Sequence, residues 1–257
     1  MSSFRDTSAL PPITVVGPGR VGGSIARAAR TAGIGAELVG RRDPAAIAHA
    51  EVVLLCVPDA EIANVAAQVA DMAPGLRLLG HVSGATGLGE LEAATRADAF
   101  SLHPLQTVPH AETDLTGIPA AVSGSTHEAL GLARALAQAL GMKPFELPEG
   151  SRAAYHAAAS LASNFLVTLE ESAVGLLAAA GIEDGRPLLA PLVTSSAANW
   201  AERGGDALTG PIARGDERTV AAHTEAIGAL APELSPLYEV LAERTRALVS
   251  DREGLVA

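Results

Sequence analysis

Apolar residues recur in short runs along the first half of the chain, and stretches of helical period lie between them. Residues 13–17 (Ile-Thr-Val-Val-Gly), 36–39 and 52–57 (Val-Val-Leu-Leu-Cys-Val) read as three buried strands. The third is apolar throughout, the pattern of a parallel strand covered on both faces. Further strands are expected at 76–82, 99–102, 119–122 and 143–147. Helical spacing falls at 20–31, 59–72 and 126–140, with Asp59 expected to cap the second of these after Pro58. Such β-α alternation predicts an α/β fold with a doubly wound parallel sheet. The alternation stops at Pro148-Glu149-Gly150. Residues 151–180, 187–203, 216–230 and 233–249 then read as helices with no strand among them. The expected organisation is a sheet domain over 1–149 and a smaller all-helical domain over 150–257.

The first strand runs into Gly17-Pro18-Gly19-Arg20-Val21-Gly22, a G-x-G-x-x-G that opens the first helix. In that context each glycine has a use. Gly17 permits the tight turn, Gly19 lets backbone approach a diphosphate, and Gly22 lets the helix pack close to the strand. The free N–H groups and positive dipole end of the helix attract phosphates. The first half is therefore expected to be a Rossmann-type dinucleotide-binding domain, with residues 17–22 on the diphosphate. The second strand ends Val39-Gly40-Arg41-Arg42. A carboxylate at the place of Gly40 would bond ribose hydroxyls; paired guanidinium groups instead suit a 2′-phosphate. This predicts NADP(H), held by Arg41 and Arg42, the alternative being that the arginines are solvated loop charges. Val57 and Pro58, at the end of the third strand, are expected beside the nicotinamide ribose and diphosphate. Cys56, inside an apolar run with no neighbouring base, reads as core.

Ligands in such folds sit beyond the carboxyl ends of the strands. Two polar clusters are expected there: His81-Val82-Ser83-Gly84 after the fourth strand and His103-Pro104-Leu105-Gln106 after the fifth. Either histidine suits proton donation or carbonyl polarisation, and either could instead serve the structure by bonding loop carbonyls. His156, Ser160 and Asn164, spaced i, i+4, i+8, are expected on one face of the first helix of the second domain, as a polar seam or as part of a site. Asp216 is expected to cap the helix that follows it. No histidine or cysteine spacing suggests a metal.

Composition narrows the partners. Hydrophobic residues make up 48% of the 257, enough for a substantial core, and a net charge of −11 argues against nucleic acid or an anionic membrane. One cysteine excludes an internal disulfide, as suits the cytoplasm. The first ten residues lack a leader's layout, and no uninterrupted apolar run of membrane-spanning length is evident. Lys143 is the only lysine among 18 basic residues. The apolar circumference of the C-terminal helices predicts a homodimer through them.

The segments GPGRVG at 17–22, HVSG at 81–84, HPLQT at 103–107, YHAAASLASNFLVTL at 155–169 and TGPIARGD at 209–216 together carry a resemblance. The chain resembles a bacterial family of Rossmann-like oxidoreductases with a C-terminal domain of unknown function. That family lies within the superfamily of 6-phosphogluconate dehydrogenase, ketopantoate reductase and pyrroline-5-carboxylate reductase. The resemblance implies a nicotinamide cofactor and pairing through the helical domain, and names no substrate. Asn164 matches an asparagine that hydroxyacid dehydrogenases carry four residues after a catalytic lysine; Ser160 stands at the lysine's place, and a hydroxyl does not replace an ammonium. His103-Pro104 resembles the His-Pro of prephenate dehydrogenase. The expected activity is hydride transfer between NADP(H) and a small carbonyl, imine or alcohol. His103 is expected as acid or base, Asn164 and Ser83 as orienting groups, and His156 as an alternative donor. A non-catalytic NADP(H) sensor or scaffold is the contrasting expectation, and a deazaflavin as hydride partner a third.

Overall fold

The structure is a computed structural model that describes residues 10–41 and 43–256. Arg42 lies outside the described residues. By its internal contacts the chain divides into two compact units, up to Ser160 and from Leu161 onward. The first unit thus takes in most of a helix that the sequence pattern assigns to the second domain.

Seven strands form one sheet: β1 (Ile13–Val16), β2 (Ala36–Val39), β3 (Val52–Leu55), β4 (Leu78–His81), β5 (Asp98–Pro104), β6 (Pro119–Gly124) and β7 (Lys143–Glu146). Their spatial order is β2-β1-β3-β4-β5-β6-β7. β1 to β5 are parallel, as the alternation predicts. β6 pairs antiparallel with β5, and β7 is parallel to β6, so the expectation of an all-parallel sheet is corrected at this edge. The reason lies in the connection. A parallel return needs a crossover over the sheet face, usually a helix. Residues 105–118 hold no helix and instead strap the helix α1 (Arg20–Thr31). Ser24 Oγ donates to the Ala111 carbonyl at 3.1 Å, and Arg27 Nη2 to the Glu112 and Thr113 carbonyls at 2.8 and 3.0 Å. A Cβ on Gly23 would fall 2.6 Å from Ala111 Cβ.

The strand pattern divides the core in two. Val15, Leu54, Phe100 and Leu102 pack with Ile25 and Ala29 of α1 and with Leu132 and Leu136 of α5 (His127–Ala139). On the opposite face Val16, Val53, Leu55 and Leu79 meet Ile62, Val65 and Val69 of α3 (Ile62–Met72), together with Ile47 and Leu91. The last two belong to single-turn helices absent from the expected pattern, α2 (Pro44–Ile47) and α4 (Gly89–Glu92). Asp43 caps α2, accepting from Ala46 N at 3.3 Å, with Pro44 at its first position.

α6 (Arg152–Ala162) and α7 (Asn164–Ala179) replace the single expected helix. Ser163, at φ −125° and ψ −71°, leaves helical geometry between them. Asn164 therefore opens α7 instead of continuing the face of His156 and Ser160, which corrects the expected i, i+4, i+8 row. The segment Glu149–Ala179 is long and apolar enough to cross a membrane by length and composition alone. It is broken at Ser163, and its first half carries side chains bonded into the first unit.

The second unit holds α7, α8 (Gly185–Arg203), α9 (Glu217–Leu230) and α10 (Ser235–Val256). Asp216 caps α9 as expected, accepting from Thr219 N at 3.1 Å. Much large apolar surface stands open in this unit: Phe165, Leu188, Leu192 and Val240 are exposed, and Trp200 is 66% exposed.

Candidate functional site

The turn after β1 has the geometry that its glycines imply. Gly17 sits at φ +116°, and a Cβ there would lie 2.3 Å from the Cys56 carbonyl oxygen. A Cβ on Gly22 would lie 2.1 Å from the Gly17 carbonyl oxygen. Both contacts are with backbone, which cannot swing aside. Gly19 differs: among the described residues a Cβ there meets nothing within 4 Å. Its missing side chain leaves open space in front of the N-terminus of α1. No side chain caps that terminus, and its first turn holds no acid. Open space, uncapped N–H groups and a positive dipole end together fit a diphosphate. Pro18, Arg20 and Val21 lie in the same turn, and Val57 and Pro58 follow β3 beside it. A Cβ on Gly17 would stand 3.3 Å from Val57 Cγ1.

Arg41 follows β2, as expected, but is not free. Its Nη1 donates to Glu61 Oε2 at 2.7 Å. Glu61 ends the turn between β3 and α3. That turn, Asp59–Glu61, is a 3₁₀ turn and not the start of α3, and Asp59 caps nothing, contrary to expectation. Its carboxylate accepts from Ser83 Oγ at 2.8 Å instead.

The polar groups at the ends of β4 and β5 share one sheet face. His81 and Ser101 are register partners, His103 lies two residues on, and all three point away from Phe100 and Leu102. β5 extends to Pro104 because β6 pairs with it as far as Ala120, so His103 lies in the strand and not after it. α6 runs along this face. Arg152 Nη2 donates to Ser101 Oγ at 2.5 Å, and Tyr155 Oη shares a 2.6 Å hydrogen bond with His103 Nδ1. Two strand residues rise about 6.6 Å and three helical residues about 4.5 Å, so an i, i+2 pair on β5 meets an i, i+3 pair on α6. Glu149 completes the link, accepting from Arg152 Nε at 2.6 Å and from Leu88 N at 3.1 Å.

The residues expected at the site fall into distinct roles. His81 is fully buried, and its Nδ1 accepts from Ser83 N at 3.2 Å. Burial first, and Arg152 second, push its pKa down to about 4. It is a neutral structural group. The Ser83 hydroxyl is committed to its loop: it donates to Asp59 and accepts from Thr86 N at 2.9 Å. His103 is part-buried and likewise pushed down to about 4, by burial and then by His156. Gly84 lies against its ring, where a Cβ would stand 2.9 Å from Cε1. The His156 ring centroid is 6.3 Å from that of His103. Asn164 belongs to the second unit, where its carbonyl accepts from Thr168 Oγ1 at 3.2 Å.

Tyr155 and Arg152 were not singled out from the sequence. Their i, i+3 spacing, which puts both on one helix face, is the signal the sequence holds for them. Arg152 is 3% exposed. Among the described residues, the buried side-chain atoms without a hydrogen-bond partner are His81 Nε2, Arg152 Nη1 and His156 Nδ1. Such an atom costs about 1–3 kcal/mol where nothing pairs with it; for His81 the Gly87 backbone lies near enough to act on the ring.

The depressed histidines give a test of the fold. The unfolded chain takes up these protons near pH 6.5, the folded chain only near pH 4. The neutral rings therefore favour folding above pH 6.5, and that contribution is lost as pH falls towards 4. His81 alone is worth on the order of 3 kcal/mol over that window. The thermal midpoint should fall between pH 7 and pH 5; an unchanged midpoint contradicts the burial of these rings.

Residues 36–104 match the model of a Rossmann-like domain, and residues 118–245 match that of a domain of unknown function, DUF2520. The DUF2520 match begins at β6, within the first compact unit, so the hydrogen bond from His103 to Tyr155 links the two matched segments. No curated protein sequence matches the chain. Among solved structures it is similar to a Thermotoga maritima protein, TM1727, at 23% identity and a TM-score of 0.77, over 94% of this chain and 99% of that one. It is also similar to a Bacteroides fragilis protein described as an NADP oxidoreductase, at 22% identity and a TM-score of 0.75, over 93% and 98%. A Plasmodium falciparum pyrroline carboxylate reductase, solved with NADP bound, shares 13% identity at a TM-score of 0.59, over 93% and 98%. These likenesses bear out the α/β fold with its helical C-terminal region.

Proposed function

We propose that the protein is an NADP(H)-dependent oxidoreductase that transfers a hydride to or from a small carbonyl, imine or alcohol. The observation that carries this reading is the Tyr155–His103 hydrogen bond at the end of β5, on the same sheet edge as a glycine turn open for a diphosphate. β5 lies three strand spacings from β1, about 14 Å, within reach of an extended dinucleotide. The similar structures described as NADP oxidoreductase and as an NADP-bound reductase support the same class.

Gly17, Gly19 and Gly22 with the N-terminus of α1 would hold the diphosphate, Arg41 the 2′-phosphate, and Val57 and Pro58 the ribose beside it. A nicotinamide so bound supplies or accepts the hydride. The chain's own residues handle the proton. In reduction, the hydride forms a C–H bond while Tyr155 Oη gives its proton to the carbonyl oxygen or imine nitrogen. His103 Nδ1–H restores that proton to the tyrosine oxygen, and Nε2 regains one from solvent. Oxidation runs the same path backwards. A His103 held neutral suits this relay, since it can take a proton on one nitrogen as it releases one from the other.

The open apolar side chains of the second unit, Trp200, Phe165 and Leu192 among them, support a homodimer through the C-terminal helices. A single cysteine and a charge of −11 favour the cytoplasm, with neither nucleic acid nor membrane as partner. One preparation tests the whole reading. It should bind NADPH by calorimetry, scatter light at twice 25.9 kDa, and oxidise NADPH with a member of a panel of cyclic imines, 2-oxo acids and aldehydes. No heat with NADPH removes the oxidoreductase assignment; a monomeric mass removes the dimer.

A further inference from the structure

The cofactor's adenosine end carries a second determinant that strand patterns do not reveal. An acid at the end of β2 is what recognises an unphosphorylated ribose in this fold, and Gly40 stands there instead. The structure brings an acid from another element to the arginine that follows it. Glu61, on the turn between β3 and α3, reaches Arg41, with Oε2 2.7 Å from Nη1. Both side chains remain substantially open, at 48% for Arg41 and 41% for Glu61. Among the described residues Glu61 has no other hydrogen bond or ion pair: it is the residue before α3, and it makes no side-chain cap. The nearby acids are occupied elsewhere, Asp43 in capping α2 and Asp59 on Ser83.

We propose that Glu61 sets the choice between the phosphorylated and the unphosphorylated dinucleotide, working against Arg41. This rests on the reading that Arg41 meets the 2′-phosphate. When that phosphate enters, Arg41 turns to it, the ion pair is given up, and the Glu61 carboxylate is left facing a dianion. When a free 2′-hydroxyl enters, the same carboxylate accepts its hydrogen bond. One residue therefore weakens NADPH and assists NADH, and the wild-type protein discriminates less than its arginines alone would allow. The pair is exposed, so each effect is modest, about fivefold at the upper end for such contacts, and screened by salt.

The test is calorimetry of NADPH and NADH on the full chain at low salt, with Glu61→Gln and Arg41→Ala beside the wild type. Glu61→Gln keeps the side chain's size and removes its charge at an open position, so the fold is retained. It should tighten NADPH about fivefold and weaken NADH, moving their affinity ratio by about tenfold or more, and the shift should shrink in 0.5 M salt. A ratio within twofold of the wild type overturns the proposal. Arg41→Ala separates the two readings: it should weaken NADPH and spare NADH. If it leaves NADPH binding unchanged, or if the wild type binds neither nucleotide, the placement of the 2′-phosphate fails and this proposal with it.

Discussion

Gly19→Val should leave the protein folded and destroy dinucleotide binding. The backbone at Gly19 is extended, at φ −78° and ψ −170°, where any L-residue is at ease. A Cβ there meets none of the described residues within 4 Å. Losing glycine at a helix N-cap costs about 1 kcal/mol or less, so the melting temperature should move by only a few degrees. The valine methyls would stand where the diphosphate must approach the N–H groups of α1. NADPH affinity should therefore fall by about 100-fold or more, about 2.7 kcal/mol. Gly22→Ala makes the contrast, because its Cβ would strike the Gly17 carbonyl and lower stability as well as affinity. Unchanged NADPH binding by a well-folded Gly19→Val protein would show that the space in front of α1 is not the diphosphate site.

Tyr155→Phe should be the more damaging change to turnover. The substitution keeps the ring that packs edge-on to His103 and Phe145 and deletes the hydroxyl 2.6 Å from Nδ1. A positioned acid contributes about 10²- to 10⁴-fold, so turnover on the responsive substrate should fall by about 100-fold or more while NADPH affinity stays within about twofold. His103→Asn should match it, and the double substitution should add little, because the two groups form one relay. With His103 held down to about 4, wild-type turnover should show no titration near pH 6.5. A Tyr155→Phe protein that turns over normally, or a step near pH 6.5 that vanishes in His103→Asn, would take the relay apart.

What could be read in advance was whatever depends on neighbours in sequence. The apolar run of β3 announced a strand covered on both sides, and Val53 and Leu54 do enter different halves of the core. The glycine turn declared itself because each contact it avoids is local or one strand away. The direction of β6 was not legible, since it depends on the path of residues 105–118 through space. Nor was the break at Ser163, which has neither glycine nor proline to mark it. Glu61 meets Arg41 only because the turns after β2 and β3, the two strands that flank β1, converge. Tyr155 became visible once β5 was seen to extend through His103, since its partner lies 52 positions away.

The strap across α1 has a bearing on how the nucleotide turn comes into being. Its hydrogen bonds from Ser24 and Arg27 reach residues 85 to 87 positions downstream. Contacts of such long range form late, because the intervening chain must be ordered first. The G-x-G-x-x-G segment comes well before that link in the chain, so the helix behind it gains these hydrogen bonds only once the link from β5 to β6 is in place. Steady purchase on a nucleotide thus belongs to the assembled sheet, and a nascent chain that stops short of that link carries the signature without the grip.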